Sequence, residues 1–315
     1  MERLLAVQAQ DARGARLTVR ARSDGLRASD VDDALNSGEL VTTWVNRGTL
    51  HLIRSEDYPW LHALTTPQLA ASNATRLRQE GVSPEQADRG VRVVQAELGA
   101  GPRTRRQLKA ALNSAGVPTA GQALVHVLFL ATLRGLCVRG PVVGTEQAFV
   151  LVKQWLPPAP EVDRDVPLGE LARRYLAGHG PSSARDLTRW AGITLGAARR
   201  GLARLQLVGE ELVDLPGRDV PPPLPAPLPP PRLLGPFDEL LMGWQSREPV
   251  LDGHSGVVTS NGVFRPIALV RGKAVATWAM SGGQVALQPF GPLSGAVSKA
   301  LARDAEDVHR FLGGS

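Results

Sequence analysis

The stretch PPPLPAPLPPP, at residues 221–231, limits the folding of this 315-residue chain more than any other. Proline has a fixed φ and no backbone N–H, so such a run can neither continue a helix nor supply the donors of a sheet. We expect extended polyproline II there, which serves more often as a rigid spacer than as a proline-rich ligand for a partner. The chain must therefore fold as separate parts on either side of it.

A second proline-rich stretch, KQWLPPAPEVDRDVP at residues 153–167, has the composition of a stiff linker. The chain is too long for one small core and long enough for two or three modules. We predict an N-terminal module at residues 1–152, a second module at residues 168–215 and a C-terminal module at residues 233–315. The linkers that join them are residues 153–167 and 216–232.

The composition excludes several classes of protein. Hydrophobic residues make up 43% of the chain and charged residues 21%, as in folded globular proteins. Cys137 is the single cysteine, so an intrachain disulfide is excluded and a cysteine-based metal site is disfavoured. The histidines are scattered without metal-ligand spacing, and the chain has no phosphate-binding or dinucleotide-binding glycine loop. We predict no metal and no cofactor.

Charge and hydropathy bear on the partners of the chain. The formal net charge of +6 and the isoelectric point of about 10.2 favour a polyanionic partner, although charge alone does not identify it. No apolar run reaches the roughly 20 residues that a membrane helix needs. The start, MERLLAVQAQ, lacks the pattern of a signal peptide. We expect a monomer in the reducing cytoplasm, with no membrane partner.

Two parts of the chain show the same order of elements, namely helix, turn, helix and a small hairpin. In the first part, helices begin at Thr104 and at Ala120, and strands follow at residues 136–143 and 148–152. In the second part, SARDLTRWAGITLGAARRGLARL is a helix-turn-helix pattern, followed by short strands on either side of Gly209. This is the order of a winged helix. We predict a mainly α fold with small β wings (α+β), built from tandem winged-helix modules around a DNA-binding cleft.

Further strands are predicted from alternation and turn signals. Residues 40–45 and 49–53 alternate in the manner of strands on either side of the turn Asn46-Arg47-Gly48. In the C-terminal module, NGVFRPIALV and KAVATWAM are joined by a hairpin turn at Arg271-Gly272, and VALQPF follows as a third strand. The segment from Ser294 to Leu312 has the apolar spacing of a terminal helix.

Basic side chains lie on the polar faces of helices in both winged-helix repeats. The candidates for DNA contact are Arg103, Arg105, Arg106 and Lys109 in the first repeat and Arg199, Arg200 and Arg204 in the second. On a winged helix such residues bind phosphates or guanine edges. An ordinary solvated helix face explains the same residues, and both interpretations stay open at this point.

Near the N-terminus, two glutamines flank one small apolar residue in Gln8-Ala9-Gln10. Alternate positions of an extended segment point the same way, so both amides can face one cavity and hold a water or a base edge. Asp11 follows directly and suits the N-cap of the next helix. The alternative is that the two glutamines are polar surface residues before a helix.

Five segments carry a resemblance to a known family. They occur in order between Arg3 and Leu293 and read RLLAVQAQDARGARLTVRAR, TTWVNRGTLHLI, LLGPFDELLMGW, NGVFRPIALVRGKAVATW and QPFGPL. Together they resemble the bacterial winged-helix family that contains the AlkZ and YcaQ DNA glycosylases. The catalytic signature of that family is Gln-hydrophobic-Gln in the AlkZ branch and Gln-hydrophobic-Asp in the YcaQ branch, and Gln8-Ala9-Gln10 matches the first.

The sequence departs from the family pattern in two ways. Ala9 is small where a larger aliphatic residue is common. The motif also lies very close to Met1, whereas family members usually have a helical segment before it. If that segment forms a wall of the pocket, the expectation is a protein that binds DNA without turnover.

The resemblance implies a function and a partner. It implies three winged-helix-like units, a bacterial cytoplasmic protein associated with the nucleoid, and double-stranded DNA with alkylated purines as the partner. The implied enzyme is a monofunctional DNA glycosylase, a hydrolase acting on the N-glycosyl bonds of cationic N7-alkylated purines and unhooking interstrand crosslinks. Gln8 and Gln10 are the implied catalytic pair. The alternatives are a non-catalytic winged-helix DNA-binding protein or transcriptional regulator, and a protein that sequesters an alkylating metabolite.

Three more residues are candidates for the same pocket. Asp11 can assist a water, although its place before a helix favours an N-cap. His51 ends the family-like segment RGTLH and can contact a phosphate or the base, although a packed strand histidine is favoured. Asp238, like its neighbour Glu239, can supply a carboxylate to the cleft, and a capping role is also open to Asp238.

Overall fold

The computed structural model describes residues 1–158, 165–217 and 229–313. Most of the proline-rich spacer and the middle of the first linker lie outside the described residues, so their conformations stay predictions. Within the described residues, no helix is both long and apolar enough to cross a bilayer. The structure combines α-helices with small antiparallel sheets, and the division into three winged-helix modules stays a prediction.

The strands of the described residues are β1 (Ala6–Gln8), β2 (Leu40–Val45), β3 (Thr49–Arg54), β4 (Cys137–Val143), β5 (Glu146–Leu151), β6 (Arg232–Leu234), β7 (Ile267–Val270), β8 (Lys273–Ser281) and β9 (Gln284–Pro289). The helices are α1 (Ala12–Arg20), α2 (Ala28–Asn36), α3 (Tyr58–Thr65), α4 (Ala70–Gln79), α5 (Pro84–Gly99), α6 (Arg105–Ser114), α7 (Ala123–Leu133), α8 (Val152–Trp155), α9 (Asp165–His179), α10 (Ala184–Ala191), α11 (Leu195–Leu202), α12 (Glu239–Met242), α13 (Glu248–Leu251) and α14 (Gly295–Leu312).

The first sheet has five antiparallel strands in the order β1-β3-β2-β4-β5. The strands predicted at residues 40–45 and 49–53 are confirmed as β2 and β3. The hairpin β4–β5, which the sequence predicts as a separate wing, is instead part of this sheet, because Thr42 in β2 pairs with Arg139 in β4. The second edge of β2 is thus occupied, and the strands predicted as the first wing belong to the same sheet as the strand of the N-terminal motif.

The N-terminal strand β1 forms one edge of this sheet. Among the residues that the structure describes, it pairs only with β3, and Gln8 lies directly opposite His51. The turn between β2 and β3 lies next to β1 and has Asn46 and Gly48 at positive φ of 55° and 80°. Glycine reaches that conformation at little cost and asparagine tolerates it, so the sequence Asn-Arg-Gly suits this turn. The turn carries Arg47, whose guanidinium lies within hydrogen-bonding distance of Gln8.

A group of three helices, α9, α10 and α11, packs with α3 on one face of this sheet. The predicted helix-turn-helix is confirmed, with Ser183 and Thr194 as the N-caps of α10 and α11 and Gly192 in the left-handed conformation between them. The core under these helices joins Val41 and Ile53 of the sheet to apolar residues of all three helices. The second module therefore shares its buried core with the first.

The second wing, predicted around Gly209, is not a two-stranded hairpin. In the described residues this stretch has only isolated bridges, Val208 with Asp214 and Ser182 with Val213. One bridge spans the loop and the other joins it to the residue before the cap of α10, so no continuous two-stranded ladder forms. The order of helices was thus predicted correctly here, and the extent of the strands was not.

The opposite face of the first sheet packs against α5, α6 and α7. The core of this layer contains Trp44, Leu108, Val127 and Phe149, all nearly inaccessible to solvent. Thr104 accepts from the N–H of Gln107 and caps α6, as the helix start predicted at this residue requires.

The C-terminal sheet has the order β6-β7-β8-β9 and packs against α14. Its strands confirm the predicted hairpin at Arg271-Gly272, whose φ angles of 50° and 80° are those of a tight two-residue turn. β6 begins at Arg232, the last residue of the predicted linker. The predicted terminal helix is confirmed, with Ser294 as its N-cap.

One buried carboxylate joins α14 to the N-terminal part of the chain. Asp304 accepts from Nη2 of Arg20 in α1 at 2.5 Å and from the backbone N–H of Leu233 in β6 at 2.7 Å. Nearby, Gly14 of α1 meets the segment before α12 closely, since a Cβ at this glycine would lie 2.6 Å from the carbonyl oxygen of Pro236. The C-terminal segment therefore lies directly against the N-terminal motif.

Candidate active site

The two glutamines of the N-terminal motif meet at the edge of the first sheet. The side-chain amide nitrogen Nε2 of Gln8 donates to Oε1 of Gln10 at 2.7 Å, and the two residues lie on either side of the buried Ala9. Gln8 is 3% exposed, whereas Gln10 is exposed to solvent. The extended arrangement expected from the sequence thus brings the two amides together, with one inside the protein and one at its surface.

Asp11 lies next to this pair but is used by the helix. Its carboxylate accepts from the backbone N–H of Gly14 at 2.6 Å and is the N-cap of α1. An N-cap of this kind satisfies a donor that no helical carbonyl can reach. The capping role expected from the sequence is therefore present.

The orientation of the Gln8 amide is set by Arg47. The guanidinium of Arg47 donates to Oε1 of Gln8 at 3.1 Å and to the carbonyl oxygens of Trp190 and Arg189 at 2.7 and 3.1 Å. Because arginine can only donate, the carbonyl of Gln8 must face Arg47 and its NH₂ group must face Gln10. Burial lowers the pKa of Arg47, although the negative charge of Glu239 acts to raise it.

The carboxylate that reaches the motif belongs to Glu239. It is 1% exposed and accepts from the backbone N–H of Gln8 at 2.7 Å and from the indole N–H of Trp190 at 3.1 Å. Nε2 of His179 lies 3.9 Å from the same carboxylate. Burial raises the pKa of Glu239 to about 7, although the two hydrogen bonds and Arg47 act to lower it.

The neighbouring candidate, Asp238, faces elsewhere. It caps α12 by accepting from the backbone N–H of Leu240 at 2.9 Å, and both of its oxygens accept from the guanidinium of Arg22, at 2.7 and 2.8 Å. The two adjacent carboxylates therefore have separate partners, since Asp238 binds a guanidinium and its own helix and Glu239 binds the N-terminal motif.

His51 is buried beside Gln8 and is neutral. Its side chain is 1% exposed, and Nδ1 lies 2.9 Å from the carbonyl oxygen of Thr49. A carbonyl only accepts, so Nδ1 carries the proton and Nε2 carries the lone pair. Burial lowers the pKa of His51 to about 3, and the nearby charge of Arg47 adds to the effect. This residue is a packed strand histidine that cannot donate a proton from a charged ring near neutral pH.

Aromatic rings from α9 and α10 lie around Glu239. Tyr175 stacks on His179 with ring centroids 4.9 Å apart, and both rings contact Trp190, at 5.3 and 5.4 Å. The hydroxyl of Tyr175 donates to the carbonyl oxygen of Gly243 at 2.7 Å. Sequence reasoning missed this wall and also Arg47, because nothing local in the sequence connects these residues to the glutamine motif.

The basic candidates lie at the surface, with one exception. Arg103 donates to Glu97 at 3.0 Å and is only partly exposed. The other six are exposed to solvent on or next to α6 and α11, and they are Arg105, Arg106, Lys109, Arg199, Arg200 and Arg204. Residues on this surface are accessible to a polyanion, whereas the charge of Arg103 is partly neutralised within the protein.

The described residues contain no group of three His, Cys, Asp or Glu side chains arranged to hold a metal ion. The site around Gln8 contains oriented amides and a buried carboxylate. Elsewhere on the molecule, α6 and α11 carry exposed basic side chains. Such a combination fits a class of enzyme that positions water against a bond in a nucleic acid.

Comparison with known proteins agrees with this class. The profile of the family described as DNA glycosylase AlkZ-like matches residues 1–311 of the chain. The chain belongs to the AlkZ-like DNA glycosylase family.

A curated relative and a solved structure both come from the bacterium Streptomyces sahachiroi. The interstrand DNA cross-link repair glycosylase of Streptomyces sahachiroi is 27% identical over an alignment of 339 residues, which covers 99% of this chain and 89% of that protein. The solved structure of Streptomyces sahachiroi DNA glycosylase AlkZ superposes with a TM-score of 0.79 at 26% identity and covers 100% of this chain and 90% of that one. The fold resembles that of AlkZ along the whole chain.

Proposed function

We propose that this chain is a monofunctional DNA glycosylase that hydrolyses the N-glycosidic bond of cationic N7-alkylated purines and unhooks interstrand crosslinks built on them. The hydrogen-bonded pair of Gln8 and Gln10, which matches the signature of the AlkZ branch, is the observation that carries this proposal. Family membership and the name of the Streptomyces relative support it.

The chemistry of such a substrate fits a pair of amides. An N7-alkylated purine already carries a positive charge, so the electron pair of the C1′–N9 bond leaves with the base and neutralises it without prior protonation. What the enzyme must supply is a stabilised oxocarbenium-like sugar and a water aimed at C1′. When the water adds to C1′, its proton passes to solvent, because glutamine has no group that titrates near neutrality.

The geometry divides this work between the two glutamines. Gln10 is exposed, and its Oε1 accepts one bond from Gln8 while a carbonyl oxygen has room for a second. That second position suits the attacking water. Gln8 is buried and held by Arg47, so its role is to orient Gln10 through the bond that its side-chain NH₂ donates. A weak catalyst of this kind discriminates in favour of bases that are already good leaving groups.

His51 agrees with the same selectivity. A neutral, buried imidazole with a pKa of about 3 cannot supply a proton from its charged form to an unmodified purine at neutral pH. Unmodified purines are therefore expected to stay in the DNA.

The exposed arginines of α11, together with those at the start of α6, are the proposed contacts to double-stranded DNA. In this proposal the three winged-helix units act as the DNA-facing parts of a monomer at the bacterial nucleoid. Arg103 contributes less, because it already pairs with Glu97.

The test is release of the damaged base from a duplex that carries N7-methylguanine and from one that carries an interstrand N7 crosslink. The wild-type protein is compared with Gln8→Ala, Gln10→Ala and the double variant. We expect release by the wild type and a loss of about 100-fold or more in the double variant. Salt-sensitive DNA binding without any base release by the wild type would replace this proposal with the non-catalytic DNA-binding protein.

A further inference from the structure

We propose that Glu239 is a positioning residue of this site, whose carboxylate holds the backbone N–H of Gln8 and thereby sets where the amides of Gln8 and Gln10 meet. This inference rests on the proposed function, since it assigns a role in the reaction of the same glutamine pair. Glu239 acts through Gln8 and is not itself placed against the substrate.

The first step concerns the open edge of the sheet. β1 pairs with β3 on one side only, so the backbone groups on its other side need a partner. The N–H of Ala9 points into the sheet, where it donates to the carbonyl oxygen of Leu50 at 2.7 Å. The N–H of Gln8 points the other way and donates to Glu239 at 2.7 Å. A bond from an N–H to a carboxylate is stronger than one to a neutral acceptor, so it fixes this edge firmly.

The second step concerns the other oxygen of the same carboxylate. Oε2 of Glu239 accepts from the indole N–H of Trp190 in α10 at 3.1 Å. One side chain thus connects β1, α10 and α12. Through this carboxylate the glutamine motif contacts a part of the chain that lies 231 residues away.

The third step is that the charge of this carboxylate costs stability. Burial raises the pKa of Glu239 from its ordinary value of 4.5 to about 7, so the folded protein prefers the neutral acid. The charged and titratable groups that face it are Arg47 from the β2–β3 turn, His179 from α9 and the adjacent Asp238. The charge of Asp238 is neutralised by Arg22, which follows α1 in the chain. A residue with a purely structural role would be better served here by a neutral acceptor.

The fourth step concerns which protonation state suits the site. The anion accepts from both Gln8 and Trp190, whereas the neutral acid carries a proton on one oxygen and that oxygen becomes a donor. One of the two contacts is then weakened. We therefore expect base release to rise with pH through about 7, as Glu239 ionises.

The experiment compares Glu239→Gln with a matched control, Asp304→Asn. Asp304 is also a buried carboxylate that accepts a backbone N–H from an edge strand, but its partner is Leu233 of β6 and not a residue of the glutamine motif. Single-turnover base release is measured on the N7-methylguanine duplex across pH about 5 to 9. The ratio of variant to wild-type rate at each pH removes any titration of the substrate itself.

We expect Glu239→Gln to release base about tenfold more slowly than the wild type above pH 7 and to lack the rise through about 7. Asp304→Asn is expected to keep the pH profile of the wild type. A profile for Glu239→Gln with the same rise and the same rate as the wild type would overturn the inference.

A spectroscopic signature tests the contact independently of activity. With ¹⁵N-labelled glutamine, the backbone amide proton of Gln8, assigned through Gln8→Asn, should shift with pH around a midpoint near 7 in the wild type and in Asp304→Asn. In Glu239→Gln this shift should be absent. An amide of Gln8 that does not titrate in the wild type overturns the inference, even if Glu239→Gln fails to fold.

The two proposals fail in different ways. If the wild type releases no base, the proposed glycosylase function fails, and the Gln8 amide titration still decides whether Glu239 holds the motif. If the wild type releases base and Glu239→Gln matches it, only the role of Glu239 fails.

Discussion

Glu239 in α12 and Asp304 in α14 each bind an edge strand of a described sheet, but the two carboxylates have different surroundings. Each is a buried carboxylate that accepts a backbone N–H from an edge strand at 2.7 Å, from Gln8 in one case and from Leu233 in the other. Asp304 also binds the guanidinium groups of Arg20 and Arg232, at 2.5 and 2.9 Å. Glu239 binds an indole N–H instead, and its charge is opposed by burial.

The difference separates a structural carboxylate from one that serves a site. At Asp304 the desolvation of the charge is offset by two arginines, so the group joins α1, β6 and α14 as an ionic cross-link. At Glu239 the compensation is incomplete, and a costly charge is kept next to the glutamine motif. Perturbed buried carboxylates of this kind concentrate at functional sites.

The largest predicted effect is the loss of stability in Asp304→Asn. This change removes one of the two carboxylates that bind Arg20, which is 1% exposed and still binds Asp307 at 2.8 Å, and it should lower the free energy of unfolding by about 3–4 kcal/mol. Urea denaturation measures the loss, and base release per folded molecule is expected to stay at the wild-type level. A loss below about 1 kcal/mol would mean that the ionic cross-link contributes little.

The second predicted effect is a change of folding stability with pH, which arises from the ionisation of Glu239. Its folded pKa of about 7 lies above the ordinary 4.5, so the folded state binds more protons than the unfolded state between these values. The stability contributed by the neutral acid is full below about pH 4.5 and is lost as pH rises through about 7. Glu239→Gln should therefore gain stability relative to the wild type with rising pH, by on the order of 3 kcal/mol.

Urea denaturation of both proteins at several pH values measures this difference. Glu248→Gln, a change at an exposed carboxylate, is the control and should show no such trend. A difference between Glu239→Gln and the wild type that stays constant with pH would contradict the raised pKa.

A smaller effect is expected from Trp190→Phe, which keeps a smaller aromatic ring and removes the indole donor. The carboxylate of Glu239 then loses one of its two hydrogen bonds, so its pKa should rise further by about one unit. The midpoint of the pH profile of base release should move upward by the same amount. An unchanged midpoint would show that the indole does not stabilise the anion.

The smallest effect is expected from Arg47→Lys. An ammonium keeps the positive charge near Glu239 but cannot reproduce the fork that donates to Gln8 and to the carbonyl of Trp190. Base release should fall about threefold with little change in the pH midpoint. If instead the midpoint moves and the rate does not, Arg47 acts through its charge and not through the orientation of the Gln8 amide.

Features that depend on neighbouring residues were predicted well. The meeting of the Gln8 and Gln10 amides, the N-cap at Asp11 and the turn at Arg271-Gly272 each follow from a few consecutive residues. Local geometry is set by backbone sterics and by side chains within a turn, so a short sequence contains the necessary information.

Features that depend on distant segments were predicted less well. The hairpin β4–β5 was expected as a separate wing and instead completes the first sheet, because pairing with β2 is a contact between remote strands. Of two adjacent carboxylates, Asp238 had the clearer local role as a cap, and no local pattern distinguishes Glu239 as the one that faces Gln8.

The sequence by itself determined several helix caps, most of the strands, the glutamine pair and the basic helix faces, because each depends on contacts within a few residues, whereas the helix predicted from Ala120 begins at Ala123. Only the tertiary structure decided which carboxylate, which arginine and which indole surround Gln8. Those partners lie 39 to 231 residues away along the chain. Their meeting depends on how whole helices pack against the sheet, and no local pattern specifies that packing.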